Sequence, residues 1–501
     1  MFLNFASKIQ ERRMKRRLFY ILTLLLIAAG STRAQFVQYE EMREMANEHS
    51  LPLVNIIVDI TKVNRTDFVR GEIEVSDYQR RTNPSSNTTR FHCLYRIRGG
   101  SATNYEKKSF AVKLIDEDGA DLDANIFGIR EENSWILDAM AIDRIRMRNR
   151  ICFDVWNDLS QVPYETKYER RNGTKGVLVE VFINGDYHGL YCMSDKIDRK
   201  LLGLKKAKVS DDGSVEVKGL LYKGINWKSA YNLLSYKNED VNKDTWNAWE
   251  LQYPDDYPSI DTWKPLMNLI DFCSRKTSNE AFHSEYQNYF HTDNLLDYIV
   301  FTLVLNIGDN GYKNTFLSVV DISKGHCYLL TPWDMDMSLG GNWYGDYYDY
   351  LASADRYNSL APFNRLLVQN IDGFKDALSA KWCECYETLF SVEDFSERLD
   401  SYANMFVVSG AWERERNRWN GNPVPLKENL FDEIQYVKDW YERNYLSLCE
   451  HFGTEPTGIA TTENNKVLPG IYTLDGRKTG NNNTGNLRKG IYIVGGKKIL
   501  F

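Results

Sequence analysis

Residues 177–193 read VLVEVFINGDYHGLYCM, two apolar, strand-like runs on either side of Asn184 and Gly185. An Asn-Gly pair in this setting is a strong signal for a β-hairpin, because both residues accept the positive φ angles of a two-residue turn. Other strand-like runs surround the hairpin from residue 50 to about 225, among them NIIVDI, FHCLYRIRG and KKSFAVKL. The sequence therefore predicts that the first half of the chain is rich in β-strands.

One helix is predicted inside this strand-rich half. Residues 132–159, ENSWILDAMAIDRIRMRNRICFDVWNDL, carry apolar residues at helical spacing. The positions expected to face the core are Ile136, Ala139, Met140, Ile145, Ile151 and Val155.

The apolar period changes in the second half of the chain. From about residue 245 to 450 it is mostly helical, as in WKPLMNLIDFCSR, NLLDYIVFTLVLN, SLAPFNRLLVQN and ENLFDEIQYVKDWYERNYLSLCEHF. Strands followed by helices are typical of an α+β protein. We expect two lobes, a β-rich N-lobe at about 50–225 and a helical C-lobe at about 226–452, with the functional site in the cleft between them.

Composition excludes some classes of protein. A chain of 501 residues with 43% hydrophobic content can bury a large core, which excludes a disordered chain. The net charge of -7 argues against a nucleic-acid partner, since phosphate binding favours a basic domain. The eight cysteines form no C-x2-C pairs, and no histidines stand at zinc spacing beside them. We interpret most of them as buried apolar residues, and any disulfide pairing stays open.

The amino terminus predicts export. Residues 14–36, MKRRLFYILTLLLIAAGSTRAQF, combine a basic segment, an apolar segment and a small-residue cleavage pattern that ends at Ala34. Residues 1–34 are therefore a predicted signal peptide with Met14 as the candidate start, and residues 35–49 lead into the main domain at 50–452. The apolar run is too short for a membrane span. We expect a secreted, cell-surface or periplasmic protein without a transmembrane span in the mature chain.

The carboxyl terminus contains a short repeat. GIYTLDGRK at 470–478 and GIYIVGGKK at 490–498 each predict a strand, a glycine turn and a returning basic strand. A polar linker at 453–466 precedes them. The resulting β module, 467–501, resembles the C-terminal sorting domains of secreted Bacteroidetes proteins, and the alternative is a small all-β cap on the main domain.

Two acidic motifs in the second half point to phosphoryl transfer. DNGYKN at 309–314 has the D-x4-N spacing with which protein kinases place a catalytic Asp and a metal-binding Asn, and PWDMD at 332–336 follows at the separation of their magnesium-binding Asp. The spacing alone is weak evidence, because Asp59 and Asn64 share it. Trp333 suits either the core or stacking on an adenine ring.

The first half offers the positive charge that phosphates require. RIRGGSATNYEKKSFAVKL at 96–114 contains Arg98, a Gly-Gly-Ser turn and the lysines Lys107, Lys108 and Lys113. Kinases place a glycine loop ahead of a lysine-bearing strand, because positive charge and oriented donors hold the transferred group. Lys107 and Lys113 share one strand face and Lys108 takes the other, so only one face can look into a cleft.

Taken together, these motifs resemble the CotH kinase family over residues 50–452, through RIRGGS, KKSFAVKL, SWILDAMAIDRIRMRN, FINGDYHGLYCMSDKID, GLLYKG, LDYIVFTLVLNIGDNGYKN and PWDMDMSLGG. The resemblance implies an atypical protein kinase that uses ATP with Mg²⁺ or Mn²⁺ to phosphorylate Ser or Thr hydroxyls of a protein substrate. The positions that match the family's motifs are Asp309 for the catalytic Asp, Asn314, Asp334 and Asp336 for the metal, Trp333 for the adenine pocket, and Arg98 and Lys108 for the phosphates.

Two other functions compete with this one. The first is a catalytically inactive, kinase-fold surface protein that acts in adhesion or partner binding. The second is a carbohydrate-active enzyme that uses the acids of WDMD, although a glycosidase needs two carboxyls that face each other across the sugar. An inactive relative is expected to lose one of Asp309, Asn314 and Asp334, and all three are present. The substrate and the oligomeric state are not predicted.

Overall fold

The computed structural model describes residues 36–456, apart from 168, 229–230, 275 and 312, and three short strands between 471 and 500. The predicted signal peptide at 1–34 and most of the predicted linker at 453–466 lie outside the described residues. Within the part of the chain that is described, no helix combines the length and the apolar character that crossing a membrane requires.

The described chain begins with a strand-rich part and ends with a run of helices. The α-helices in these residues are α1 (Tyr39–Met45), α2 (Arg148–Leu159), α3 (Ile260–Cys273), α4 (Asn279–Tyr289), α5 (Thr292–Val304), α6 (Phe363–Val368), α7 (Phe374–Cys385), α8 (Val392–Val408), α9 (Ala411–Trp419) and α10 (Leu430–Phe452). The strands are β1 (Leu53–Ile57), β2 (Val69–Ser76), β3 (Thr88–Arg98), β4 (Ser109–Ile115), β5 (Ala124–Asn125), β6 (Glu131–Glu132), β7 (Ser134–Asp138), β8 (Gly176–Ile183), β9 (Asp186–Ser194), β10 (Lys208–Val209), β11 (Val215–Glu216), β12 (Leu220–Gly224), β13 (Thr245–Trp246), β14 (Trp249–Tyr253), β15 (Thr315–Val319), β16 (Leu329–Pro332), β17 (Ile471–Tyr472), β18 (Ile491–Val494) and β19 (Lys497–Leu500).

The first half of the chain forms a closed barrel with the strand order β1-β2-β3-β4-β7-β9-β8. Neighbouring strands are antiparallel except for β1 and β8, whose parallel pairing closes the barrel. Apolar residues that alternate along the strands, such as Ile73, Val75, Tyr95 and Val112, are buried together in one cluster. This cluster is separate from the larger core of the helical half.

The predicted hairpin is confirmed, and its turn also helps to close the barrel. Asn184 and Gly185 have φ angles of 51° and 88°, between the paired strands β8 and β9. The Asn184 side chain accepts a hydrogen bond from the Val58 amide at 3.1 Å and donates one to the Val58 carbonyl at 2.9 Å. The turn is therefore fastened to the chain just beyond β1.

The predicted helix over 132–159 is wrong in its first half. Residues 134–138 form β7, and helix α2 begins only at Arg148. The helical spacing is misleading because Trp135, Ile136 and Leu137 are all buried, so β7 shows no strand-like alternation. Positive φ angles at Met140 and Arg146 then turn the chain between β7 and α2.

The second half combines the helices with a second sheet of order β13-β14-β12-β15-β16. The long helical segments predicted there are confirmed in α3, α5 and α10. The predicted two-lobed, kinase-like fold is wrong, although the α+β class is consistent with the structure. The strands of the first half close on themselves as a barrel, and five more strands lie within or next to the part predicted to be a helical lobe.

The described part of the C-terminal module is a three-stranded antiparallel sheet of order β17-β18-β19. The strands β18 and β19 fall on GIYIVGGKK and its continuation, and β17 falls on GIYTLDGRK. Residues 473–490 lie outside the described residues, so the predicted sorting-like module stays a prediction.

One buried ionic network joins the barrel to the helical half. The side chains of Lys107, Arg146 and Glu415 are fully buried, and Glu415 Oε1 lies 2.7 Å from both Lys107 Nζ and Arg146 Nε. Glu415 Oε2 accepts a hydrogen bond from the amide of Leu190 in β9. Burial lowers the pKa of Lys107 to about 7, and Glu415 acts against that shift. Helix α9, which carries Glu415, is thereby tied to the barrel.

Replacing Glu415 by Gln should lower the free energy of unfolding by about 3–5 kcal/mol, because the buried cations Lys107 and Arg146 both lose their carboxylate. Lys107→Met should cost less than this, because Glu415 keeps Arg146, but more than the loss of an exposed ion pair. Urea denaturation followed by tryptophan fluorescence measures this loss. Lys113→Met is the matched control, since Lys113 pairs with Asp121 at 2.7 Å on a solvent-accessible surface and its loss should cost less than about 1 kcal/mol. Equal losses for Lys107→Met and Lys113→Met would contradict the prediction.

Candidate active site

The register of one hairpin brings the two acidic motifs together. DNGYKN leads into β15 and PWDMD begins at the end of β16, and these strands pair antiparallel with Thr315 opposite Pro332. The chain segments beyond that pair therefore lie side by side, and the Trp333 amide donates to the Asn314 carbonyl at 2.9 Å. Any pairing register other than this one would separate Asn314 from Asp334.

The side chains of Asp309, Asn314 and Asp334 meet. Asn314 Nδ2 donates to Asp309 Oδ2 at 3.3 Å and to Asp334 Oδ2 at 3.4 Å. Lys313 Nζ lies 2.8 Å from the same Asp309 oxygen. Asp309 Oδ1 is enclosed and has no hydrogen-bond partner among the described residues. The sequence-predicted catalytic residue and two of the predicted metal ligands therefore form one cluster.

Two residues of this cluster have unusual backbone conformations. The φ angles of Asn314 and Asp334 are 60° and 56°, in the left-handed region that residues with a Cβ atom rarely adopt. Asn and Asp tolerate this region better than other such residues. Strained backbone of this kind is concentrated at functional sites, because the surrounding structure must hold it in place.

Asp336 lies in the same cavity as this cluster, together with the carboxylates of Asp138 and Asp334. Burial raises the pKa of Asp336 well above its usual range, and the carboxylates of Asp334 and Asp138 add to that shift. Burial also raises the pKa of Asp334, and the ammonium of Lys223 acts against it. Carboxylates that lie close enough to raise one another's pKa favour the binding of a cation between them.

Asp138, the last residue of β7, is a cavity residue that the sequence interpretation missed. Its carboxylate accepts hydrogen bonds from Ser109 Oγ at 3.3 Å, the Met140 amide at 3.2 Å and Asn149 Nδ2 at 3.0 Å. Asn149 in turn accepts from the Met335 amide, so this carboxylate is connected to the PWDMD segment. The acid that ends SWILD was hidden because the segment was predicted to be helical.

Two cations lie over Trp333. Arg98 Cζ is 5.5 Å and Lys223 Nζ is 5.9 Å from a ring of Trp333, which is half-buried and packs edge-on against Phe153 and Phe316. Neither Arg98 nor Lys223 has a carboxylate within ion-pair distance among the described residues. Burial lowers the pKa of both cations, which indicates that they are poorly solvated. An anion between them would be strongly favoured.

The structure does not bring Lys108 to this cavity. Lys108 Nζ donates to the Thr103 carbonyl at 2.7 Å, and so supports the turn that follows Gly99. Lys107 is bound in the buried network, and Lys113 pairs with Asp121. The lysine that reaches Trp333 is Lys223 on β12, from the GLLYKG motif, to which the sequence interpretation gave no role.

The clustered carboxylates, Asn314, the cations Arg98 and Lys223, and Trp333 line one cavity of about 630 Å³. Its walls come from the turn at 98–102, the segment 138–143 that follows β7, β12, and the two motifs at either side of the β15–β16 hairpin. The volume is in the range of sites that hold a small molecule. The lining carries carboxylates and cations together, as a site for a metal and an anionic ligand requires.

Asn310 fastens the DNGYKN loop to the end of β16 and was also missed. Its Nδ2 donates to the Trp333 carbonyl at 2.9 Å, and its Oδ1 accepts from the Trp333 amide at 3.3 Å. The Asn310 carbonyl accepts from the hydroxyls of Tyr298 at 2.8 Å and Tyr231 at 3.0 Å. These bonds hold Asp309 and Asp334 at a fixed separation.

The residues present fit magnesium bound jointly with phosphate. The described residues contain no group of three or more His, Cys, Asp or Glu side chains arranged to hold a metal ion alone. Magnesium is usually held by one or two carboxylates plus waters and substrate phosphates, and it does not need such a cage. Asp334, with Asn314 and Asp309 beside it, is a donor set of that kind, and it lacks the thiolate or imidazole ligands typical of zinc.

Comparison with known proteins agrees with the sequence resemblance. A family model described as "CotH kinase protein" matches residues 95–448, more than two thirds of the chain. The matched part begins within β3, contains both acidic motifs and ends within α10. No curated protein matches the chain.

Replacing Asn310 by Ala should loosen the loop at 309–314 from the end of β16 and lower the free energy of unfolding by about 1–3 kcal/mol, because buried hydrogen-bond partners are left unsatisfied. Hydrogen exchange should accelerate at the amides of Lys313 and Trp333. Asn358→Ala is the control, since Asn358 is exposed and makes one side-chain bond to Asp355. Unchanged hydrogen exchange at both amides in Asn310→Ala would show that Asn310 does not hold the loop against the end of β16.

Proposed function

The chain belongs to the CotH kinase protein family, and from this membership and the cavity described above we propose that it is an ATP-dependent protein kinase. It transfers the γ-phosphoryl group of ATP to a Ser or Thr hydroxyl of a protein substrate, with Mg²⁺ or Mn²⁺. The observation that carries the proposal is the meeting of Asp309, Asn314 and Asp334 in a cavity that also contains Arg98 and Lys223, which have no ion-pair partner among the described residues.

Asp309 is the group that receives the substrate hydroxyl in this proposal. As the hydroxyl oxygen bonds to the γ-phosphorus, the bond from that phosphorus to the bridging oxygen breaks, and the hydroxyl proton passes to the Asp309 carboxylate. Such a base must lie within hydrogen-bond reach of the hydroxyl. The hydrogen bond from Asn314 orients the Asp309 carboxylate, and the bond from Asn310 to the Trp333 carbonyl fixes the loop that carries it, which reduces the cost of reaching that geometry.

The other residues supply charge. Asp334 and Asn314 would hold the metal ion, and Asp336 and Asp138 line the same cavity. When bound, the ion neutralises negative charge on the phosphoryl oxygens. Arg98 and Lys223 bind phosphate oxygens in this proposal, and both cations contact the ring of Trp333. Stacking of the adenine on Trp333 stays a prediction.

Action outside the cytoplasm is part of the proposal and depends on the predicted signal peptide at 1–34. The alternative is an inactive surface protein that binds a partner. One observation favours a binding face in either case: Trp343, Tyr344 and Tyr350 are 50%, 66% and 70% exposed, and Trp343 also lines the cavity. Exposed aromatic groups of this kind mark interaction surfaces.

Asp309→Ala and Asp334→Ala should each reduce phosphoryl transfer from labelled ATP by about 10²-fold or more, because one removes the base and the other the main metal ligand. The control is Asp59→Ala, at the exposed Asp of the second D-x4-N sequence, which accepts a hydrogen bond from Thr61 in a turn. The assay uses the full chain with Mg²⁺ and separately with Mn²⁺. Wild-type protein that neither binds nucleotide nor transfers phosphate with either metal would leave only the inactive alternative.

Lys223→Met should weaken the binding of Mg-ADP by about tenfold, or about 1.4 kcal/mol, because Lys223 is a poorly solvated cation in the cavity. Lys108→Met is the matched control and should change the affinity by less than about threefold, since Lys108 is bonded to the Thr103 carbonyl. Isothermal titration measures both. A larger loss of Mg-ADP affinity in Lys108→Met than in Lys223→Met would indicate that Lys108 binds the phosphates.

A further inference from the structure

Two exposed aromatic residues stand at the edge of the cavity. Trp343 and Tyr344 are 50% and 66% exposed, and Trp343 also lines the cavity. Their rings contact each other edge-on at 5.6 Å, and neither side chain makes a hydrogen bond to another described residue. We call these two residues the aromatic rim. Exposed apolar surface beside a cavity is typical of a site that binds a further molecule.

The chain holds the aromatic rim in a fixed position. Gly341 and Tyr347 pair as an isolated antiparallel bridge, so the rim lies in a tight hairpin loop. Asn342 Oδ1 accepts a hydrogen bond from the Tyr344 amide at 2.9 Å. Tyr347 fastens the hairpin to helix α10, because its hydroxyl donates to buried Glu433 at 2.8 Å. Binding to this rim therefore requires little additional ordering of the backbone.

Two arginines form a second rim of the same cavity. Arg65 and Arg96 both line it, and neither contacts Trp333 as Arg98 does. Arg65 is exposed and donates to the Gly99 carbonyl at 3.2 Å. Arg96 Cζ lies 4.6 Å from the centre of the Phe68 ring. We call Arg65 and Arg96 the basic rim.

The positive charge of the basic rim is unpaired. Arg90, on the same strand as Arg96, pairs with Glu74 at 3.0 Å, whereas Arg65 and Arg96 have no ion-pair partner among the described residues. Glu250 lines the cavity as well, but it forms no ion pair with either arginine. The chain as a whole carries a net charge of -7. Acidic groups of a partner would therefore be attracted to this rim rather than to the rest of the surface.

One extended polypeptide can reach both rims. A cavity of about 630 Å³ is about 10 Å across, which is the length of about three residues of extended chain. A substrate segment whose hydroxyl reaches Asp309 thus presents the side chains about two to three residues away to the edge of the cavity. Apolar and acidic side chains on one segment match the chemistry of the two rims.

We propose that the two rims bind the segment of the protein substrate that contains the acceptor hydroxyl, an inference that rests on the proposed kinase function. An apolar side chain of the segment packs on Trp343 and Tyr344, and an acidic side chain pairs with Arg65 and Arg96. The substrate is a protein whose acceptor Ser or Thr has an apolar residue and an Asp or Glu within about three positions. Tryptophan, tyrosine and arginine are the residues that most often dominate binding energy at protein interfaces.

Synthetic peptides with a central Ser test the proposal on the full chain with Mg-ATP. The reference peptide has only Gly around the Ser. A second set carries one Leu and one Asp, each two or three residues from the Ser, in both orders, and a third set carries Lys in place of the Asp. Wild type should phosphorylate the best Leu/Asp peptide with a kcat/KM about tenfold above that of the reference and of its Lys counterpart.

Trp343→Ala should raise KM for the Leu/Asp peptide about tenfold, because it removes the surface on which the Leu packs. Arg65→Glu should reverse the charge preference, so that the Lys peptide becomes the better substrate. Arg65→Gln should remove the preference between Asp and Lys without introducing a new charge. The affinity for Mg-ATP, measured by isothermal titration, should stay within about threefold of wild type in all three variants.

Tyr78→Ala and Arg70→Glu are the matched controls and should behave as wild type. Tyr78 is 47% exposed and does not line the cavity. Arg70 is exposed and donates to the Glu117 carbonyl at 2.9 Å, a contact like that of Arg65, but it lies outside the cavity.

Equal kcat/KM for all peptides with an active wild type would overturn the role of the rims and leave the kinase function intact. If Arg65→Glu lost affinity for Mg-ATP and kept the preference for Asp, the basic rim would belong to the nucleotide, which would also overturn the proposal. A wild type that binds no nucleotide and phosphorylates no peptide would overturn the proposed kinase function itself.

Discussion

The carboxylate of Glu415 is the group on which the arrangement of the molecule depends. It binds Lys107 just before β4, Arg146 in the segment after β7, and the backbone of β9, so one side chain of α9 is bonded to three parts of the barrel region. Lys107 and the segment 138–143 both belong to the cavity wall. A buried ionic group contributes little net stability, but it strongly favours a single geometry in which every charge has its partner. Contacts among fully buried residues therefore determine the shape of the cavity.

The cavity itself combines opposite charges that are kept from neutralising one another. Burial raises the pKa of Asp336, and the carboxylates of Asp334 and Asp138 add to that shift, whereas burial lowers the pKa of Arg98 and Lys223 above Trp333. Direct ion pairs between the carboxylates and the cations would reduce the pKa shifts of both. The β15–β16 hairpin and the barrel hold them apart instead, which leaves a site whose electrostatics are completed by a ligand with a cation and an anion.

The sequence predicted the features that depend on contacts between residues close together in the chain. The hairpin at Asn184-Gly185 and helices such as α5 follow from short-range patterns. The meeting of Asn314 and Asp334 also follows, because a hairpin places the residues that flank it side by side. Barrel closure depends on β1 pairing with β8, far along the chain, and no local pattern reports it. Lys223 was missed because it reaches the cavity from β12 of the second sheet, and Asp138 was missed because SWILD was predicted to be helical.

The parallel pairing of β1 with β8 has a kinetic consequence. Leu53 of β1 pairs with Glu180 of β8. The chain must therefore contain most of the barrel sequence before β1 can pair with β8. Contacts between residues so far apart in the chain form slowly, because a long loop must close before they form. Until β8 arrives, β1 has one unsatisfied edge, which is the kind of edge on which chains pair wrongly with each other. Folding of this half is thus expected to be late and cooperative, with the Asn184 turn bonding to Val58 as one of its final steps.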